Sequence, residues 1–177
     1  MATELLSPTV ALTRYFVTPD QEDGLPGSAD GSHQVQRYGF RIGGCRFVHD
    51  LNLSVELNEL SKCYDLPNSG TWFSGLVNLR GNLVPVFDLK SLLGGTGLAG
   101  GRHMLLVIGS GDRAAGLIID GTPDQISLDA GSRIDEPRDV PEILRDHLQA
   151  AYQYAGETWY EANYEGVFES LALRTTE

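Results

Sequence analysis

Residues 75–89 constrain this chain more than any other stretch: Gly75-Leu76-Val77-Asn78-Leu79-Arg80-Gly81-Asn82-Leu83-Val84-Pro85-Val86-Phe87-Asp88-Leu89. Two apolar runs flank a polar turn, Arg80-Gly81-Asn82. Gly and Asn tolerate positive φ, so the segment predicts a tight connection between antiparallel strands. A charged Arg at the apex of such a hairpin is either a solvated edge or a partner contact, and the stretch alone leaves both readings open.

The rest of the chain repeats the strand-and-turn pattern. Tyr38, Phe40 and Ile42 alternate with Gly39 and Arg41 up to a turn at Gly43-Gly44, and Cys45, Phe47 and His49 continue the alternation. Leu51, Leu53, Val55 and Leu57 alternate with Asn52, Ser54, Glu56 and Asn58, which predicts a strand that points Glu56 away from the core. Pro67-Asn68-Ser69-Gly70 reads as a loop, and Trp72 and Phe73 as core aromatics. Asp88 is placed to cap one helical turn over 88–93. Met104–Ile108 reads as a buried strand, paired through Gly109–Arg113 with Ala114–Ile119. Over 141–155, Pro141, Glu142 and the spacing of Leu144, His147, Leu148, Ala151, Tyr152 and Ala155 predict one short helix with His147 packed on its apolar face. Trp159 to Leu171 suggests a last strand, then a turn or short helix. Eight to ten short strands with little helix argue for an all-β barrel or sandwich. No repeat of residue identity is visible.

Length and charge narrow the function. With 177 residues, 41% of them hydrophobic, the chain can bury the core of one domain or of two small subdomains. The net charge is −11. It divides into −4 over residues 1–34, +2 over 35–119 and −9 over 120–177. Nucleic acid and anionic membrane surfaces are poor partners for such a chain, because both need clustered Lys and Arg. Residues 20–34 are acidic and Gly-rich and read as a flexible linker after a short apolar patch at Val10–Val17, giving an N-terminal extension over 1–34, a fold over 35–171 and a tail over 172–177. No apolar run is long enough to span a bilayer, and no signal peptide is expected.

No residue speaks for catalysis. The four histidines, His33, His49, His103 and His147, lie on separate elements without metal-ligand spacing. Cys45 and Cys63 are expected as buried free thiols. Ser74 and Ser110 lack a local base signature. Glu56 and Asp88 are a carboxylate pair that only the fold can place. Gly95, Gly97 and Gly100 match G-x-G-x-x-G, but a strand follows them rather than the helix whose N-terminus would face a pyrophosphate. No catalytic, cofactor or metal site is expected. A small β-barrel enzyme or ligand-binding protein using the loop Gly94–Arg102 is the alternative function.

The central stretch also resembles the signature of the CheW-like family of chemotaxis coupling proteins: Asn78-Leu79-Arg80-Gly81, then Pro85, then Phe87-Asp88-Leu89. Val55-Glu56-Leu57 and Ala115-Gly116-Leu117-Ile118-Ile119-Asp120 match further family segments, so the resemblance covers roughly Val35 to Phe168. It implies two intertwined five-stranded SH3-like β-barrels with a hydrophobic groove between them. It implies a non-catalytic adaptor that joins the cytoplasmic tip of a chemoreceptor to the regulatory domain of a CheA-type histidine kinase, in the cytoplasm and recruited to membrane receptor arrays. Asn78, Arg80 and Gly81 would then present the groove edge to a partner, and Glu56 would belong to the kinase-facing side of the first barrel. Pro85 and Asp88 would be structural, and Val84, Val86 and Asp120 would shape the barrel junction. Asp65-Leu66-Pro67 reverses the charge of a family Arg-x-Pro segment, and Trp72-Phe73 fits a PilI-like, pilus-chemotaxis branch. No receiver domain follows, so a receiver fusion is not expected.

Overall fold

A computed structural model describes residues 34–93 and 102–174 of the chain. The Val10–Val17 patch, the acidic stretch over 20–33 and the glycines over 94–101 lie outside the described residues. Among the described residues ten strands form two five-stranded sheets. The first holds β1 (Gln34–Ile42), β2 (Cys45–Asp50), β8 (Asp124–Asp129), β9 (Leu148–Tyr154) and β10 (Glu157–Ala162) in the order β8-β1-β2-β10-β9. The second holds β3 (Val55–Glu59), β4 (Phe73–Leu79), β5 (Asn82–Phe87), β6 (His103–Ile108) and β7 (Ala115–Asp120) in the order β3-β6-β7-β5-β4. Among the described residues one α-helix, α1 (Tyr164–Arg174), follows β10.

The two sheets are one design used twice. Read across each, the pairs run antiparallel, antiparallel, parallel, antiparallel. In the second sheet the strands come in chain order as an edge strand and two hairpins, β3, β4–β5, β6–β7. In the first the same parts appear as β8, β9–β10, β1–β2, with the last hairpin moved to the front of the chain. This permutation hides the repeat from residue comparison and makes the two units intertwine. The registers superpose: Glu161 pairs with Val48 as Val86 pairs with Gly116, and Asp124 faces Gly39 as Glu56 faces Val107.

Burial follows from that plan. Met104, Leu106 and Ile108 of β6 enter a core shared by both sheets and α1, with Phe40, Phe47, Phe87 and Phe168. Leu105 and Val107 face the other way, into a second core with Val77, Val84, Val86 and Ile118. Val48, Ile126, Leu128 and Trp159 make the matching core of the first sheet. A strand buried on both faces carries a continuous apolar run, which is why Met104–Ile108 does not alternate. Asn163 caps α1, its side-chain oxygen accepting from the Gly166 N–H at 3.3 Å. The buried Tyr164 hydroxyl donates to the Val48 carbonyl at 2.8 Å and pins the helix start to β2.

Two local expectations are corrected. Residues 141–155 do not form a helix: a 3-10 turn at Glu142–Leu144 leads into β9. Pairing with β10 buries Ala150 and Ala151 and satisfies the backbone, which outweighs the modest helical preference of the segment. His147 is packed as expected, with Nε2 2.7 Å from the Ser170 hydroxyl of α1. The strand expected from Leu51 begins only at Val55. The Asp50 carboxylate accepts from the Asn52 backbone N–H at 2.7 Å, and the Leu53 N–H donates to the Asp50 carbonyl at 3.1 Å. That Asx turn ends β2 and leaves Leu51 exposed.

Candidate partner-docking site at the Arg80 hairpin

The β4–β5 connection is two residues long, one fewer than the sequence suggests, because Asn82 already pairs with Leu79. Arg80 and Gly81 both take positive φ, 53° and 89°, the signature of a type I′ turn. Such a backbone disfavours Arg by about 1–2 kcal/mol. Asn78 offsets part of this, its side-chain oxygen accepting from the Gly81 N–H at 2.9 Å. Asn78 therefore shapes the loop, and Arg80 is carried at its tip.

The Arg80 guanidinium grips the Glu56 carboxylate with two hydrogen bonds, of 2.7 and 3.3 Å. Glu56 lies on β3, at the opposite edge of the sheet from β4. One side chain can span the two only if the sheet curls, so the pair sits on the seam of the second barrel. The Arg80 side chain is 81% exposed and that of Glu56 45%. An ion pair this wet is worth at most about 1 kcal/mol. Its two-pronged geometry fixes direction and leaves both groups open to an incoming charge. Beside it lies a hollow of about 380 Å³, lined by Val55, Leu79, Val84 and Val107 together with the polar Ser54, Asn82 and Ser110. On the same strand, Glu59 pairs with Arg102 at 2.7 Å.

The resemblance places Arg80 at the groove edge and Glu56 on the kinase-facing side of the first barrel; the structure joins the two in one contact. Val84 and Val86 lie in the second sheet's own core. Asp120 sits at the junction of the sheets. Its carboxylate accepts from the Gly43 N–H of the first sheet at 2.6 Å and from Lys90 at 3.3 Å, with His103 Nδ1 3.2 Å away. Asp88 accepts from the Lys90 N–H at 3.0 Å and caps the turn after β5. Pro85 stands just before the β5–β7 pairing begins at Val86, where no donor is needed on that side.

Other candidate groups are occupied by structural roles. His49 is buried, with Nδ1 2.9 Å from the Asp50 carbonyl, and burial holds its imidazole below the ordinary range. Cys45 and Cys63 are free and half-buried, and burial pushes both thiols up, which makes them poor nucleophiles. Glu56 and Asp88 each have their own partner. Among the described residues no group of three or more His, Cys, Asp or Glu is placed to hold a metal. A feature the sequence did not give is a groove of about 390 Å³ walled by Phe73, Pro85, Phe87 and Phe168. Their side chains read as core because the packing of α1 against β5 is not visible in a strand pattern.

Comparison with known proteins agrees with this geometry. The family model for the CheW-like domain matches residues 37–172. Protein PilI of Pseudomonas aeruginosa is 36% identical over 99 residues, 55% of each chain. Chemotaxis protein CheW of Klebsiella aerogenes is 27% identical over 105 residues, 59% of this chain and 61% of that protein. The chain thus spans little more than half the length of these two relatives. The scaffolding protein TtCheW of Thermoanaerobacter tengcongensis superposes with a TM-score of 0.66 over 81% of this chain and 94% of its own, at 18% identity. The match over most of the chain and the shared fold of two five-stranded SH3-like units place the protein in the CheW-like domain family.

Proposed function

We propose that the protein is a non-catalytic adaptor that couples chemoreceptor tips to a CheA-type histidine kinase, working in the cytoplasm at membrane-associated receptor arrays. The observation that carries this reading is the exposed Arg80–Glu56 pair on the barrel seam, beside a hollow of mixed polar and apolar lining. A rigid β scaffold with a partly apolar recess and a directional rim charge suits protein recognition, in which the charge sets register and association rate. Asn78 and Gly81 hold the tip in shape, and Arg80 and Glu56 meet the partner. Asp88, Pro85 and Asp120 keep the scaffold rigid. The similarity to PilI favours a role in pilus-linked chemotaxis and twitching motility.

The test is capture from native lysate with the tagged protein, wild type beside Arg80→Glu, followed by mass spectrometry. Wild type is expected to retain a histidine kinase or a coiled-coil receptor, and the variant to lose it while melting at the same temperature. Equal capture by both would remove Arg80 from the interface. Failure of the wild type to enrich either partner would overturn the adaptor reading.

A further inference from the structure

The groove beside α1 is a different surface from the Arg80 hollow. The β6–β7 loop separates them, with Ala114 lining both. Its floor is aromatic: Phe87 stacks on Phe168 with ring centroids 5.6 Å apart, and Phe73 meets Phe87 edge-on at 5.6 Å. The apolar surface continues outward along one face of β5, because Phe87, Pro85 and Leu83 alternate onto the same side, and Leu83 is 64% exposed. The opposite wall is one stripe of α1, Glu165, Phe168, Glu169 and Ala172, at three- and four-residue spacing. Phe168 and Ala172 of this stripe, beside the aromatic floor, offer a seat onto which a second helix can pack by ridges and grooves, and Glu165 and Glu169 flank that seat with acid.

The charges at the mouth choose among helices. Arg113 is 3.5 Å from Glu165, so one acid is already answered. Asp112 and Glu169 have no ion-pair partner among the described residues. Glu165 and Glu169 are also one helical turn apart, so they repel each other. A cation arriving between Glu169 and Asp112 would relieve that repulsion. An acidic helix would add to it.

We propose that the groove between α1 and β5 is a second docking surface, which takes an amphipathic helix bearing Lys or Arg along the flank of its apolar face. The proposal extends the adaptor reading but does not depend on it, since neither kinase nor receptor enters its test. An adaptor with this groove holds one partner at the Arg80 seam and another beside α1, with the β6–β7 loop as the wall between them.

The test uses the full chain and three fluorescein-labelled peptides of about 18 residues, long enough for five helical turns. One has Leu on one face and Lys on its flanks, one has Glu in place of Lys, and one is the Lys peptide scrambled. Anisotropy is read at about 0.15 M salt, where long-range attraction is screened. The Lys-flanked peptide is expected to bind at least about ten-fold more tightly than either control. Glu169→Lys should cut that binding about five-fold or more and improve binding of the Glu peptide. Ala172→Trp should fill the groove and cut it at least about ten-fold. Glu142→Lys, which makes the same charge change away from the groove, should leave binding unchanged, as should Arg80→Glu. Melting curves confirm that each variant is folded, and Glu169→Lys alone decides the matter if Ala172→Trp is not. Several results overturn the proposal: equal binding of the scrambled peptide, equal loss with Glu142→Lys, no effect of Glu169→Lys, or no peptide binding at all. So does a dimer in sedimentation that Ala172→Trp dissolves, which would make a second copy the occupant.

Discussion

The hairpins β4–β5 and β9–β10 occupy the same place in the two sheets and turn in the same way. Arg80-Gly81 has φ of 53° and 89°, and Ala155-Gly156 has 51° and 79°. Their strands pair at the same register, Leu79 with Asn82 and Tyr154 with Glu157. Their side chains differ. Arg80 at the first tip reaches Glu56 on the facing edge strand, whereas Ala155 at the second reaches nothing comparable. Asp124 stands at the position of Glu56, yet its nearest base is Arg41, 3.9 Å away and itself over the Trp159 ring. The second hairpin therefore shows that the turn folds without an Arg at its tip or an Asn brace, its own ion pair being Glu157 with Arg46 of β2 at 2.8 Å. What the first tip adds is available for recognition.

Several substitutions would break or sharpen this equivalence, and the largest expected effect lies where the two hairpins cease to match. Gly75 stands at the position of Ala150, but its φ is 113° and a Cβ there would collide with the Tyr64 backbone carbonyl. Gly75→Ala should cost about 2–4 kcal/mol in a urea melt, and the reciprocal Ala150→Gly only about 1 kcal/mol. Equal costs would mean that the two backbones differ less than the φ of Gly75 indicates, since both hairpins carry the same bulge, beside Phe73 and beside Leu148. Next comes the joint between the sheets. Asp120→Asn leaves Lys90, whose side chain is 9% exposed, without its anion. A loss of about 2 kcal/mol is expected, since Asp120 itself is partly wet. No change in melting would show that the joint holds without it.

A third contrast is acid-sensitive. His49 stands where the second sheet has Leu117. Burial lowers the folded-state pKa of His49, so as the pH falls the unfolded chain binds a proton first. Its contribution to stability is complete above about pH 6.5 and is lost as the pH drops through the folded-state value. Melting temperature should therefore fall on acidification in the wild type and fall less steeply in His49→Leu, and identical slopes would contradict the assignment. The smallest effect is at the second tip. Ala155→Gly should stabilise by about 0.5–1 kcal/mol, because glycine accepts the positive φ without penalty.

Much of this was legible before any coordinates. Arg80-Gly81-Asn82 announced a turn, because Gly and Asn accept positive φ, and the apolar runs on either side placed the strands; that the positive angles fall on Arg80 and Gly81, with Asn82 already in β5, was not legible. Met104–Ile108 declared a strand buried on both faces. Less was legible where tertiary pairing decides. Leu148–Tyr154 carries helical spacing and is a strand because β10 takes up its backbone bonds. The alternation from Leu51 is interrupted because the Asp50 carboxylate bends the chain there. Of the candidate site, Arg80, Asn78 and Glu56 were visible as residues, but their meeting was not. The Glu56–Arg80 contact depends on how far the sheet curls, and no strand pattern contains that angle.

The central claim is that one hairpin tip recognises a partner and its structural twin does not. The most direct measurement is the amount of histidine kinase or receptor retained by Arg80→Glu and by Ala155→Glu, each beside wild type, with melting curves for all three. Arg80→Glu should lose at least about 90% of the bound partner, a ten-fold drop, while Ala155→Glu retains it and both melt near wild type. Equal loss in the two variants, or undiminished binding by Arg80→Glu, would contradict the account.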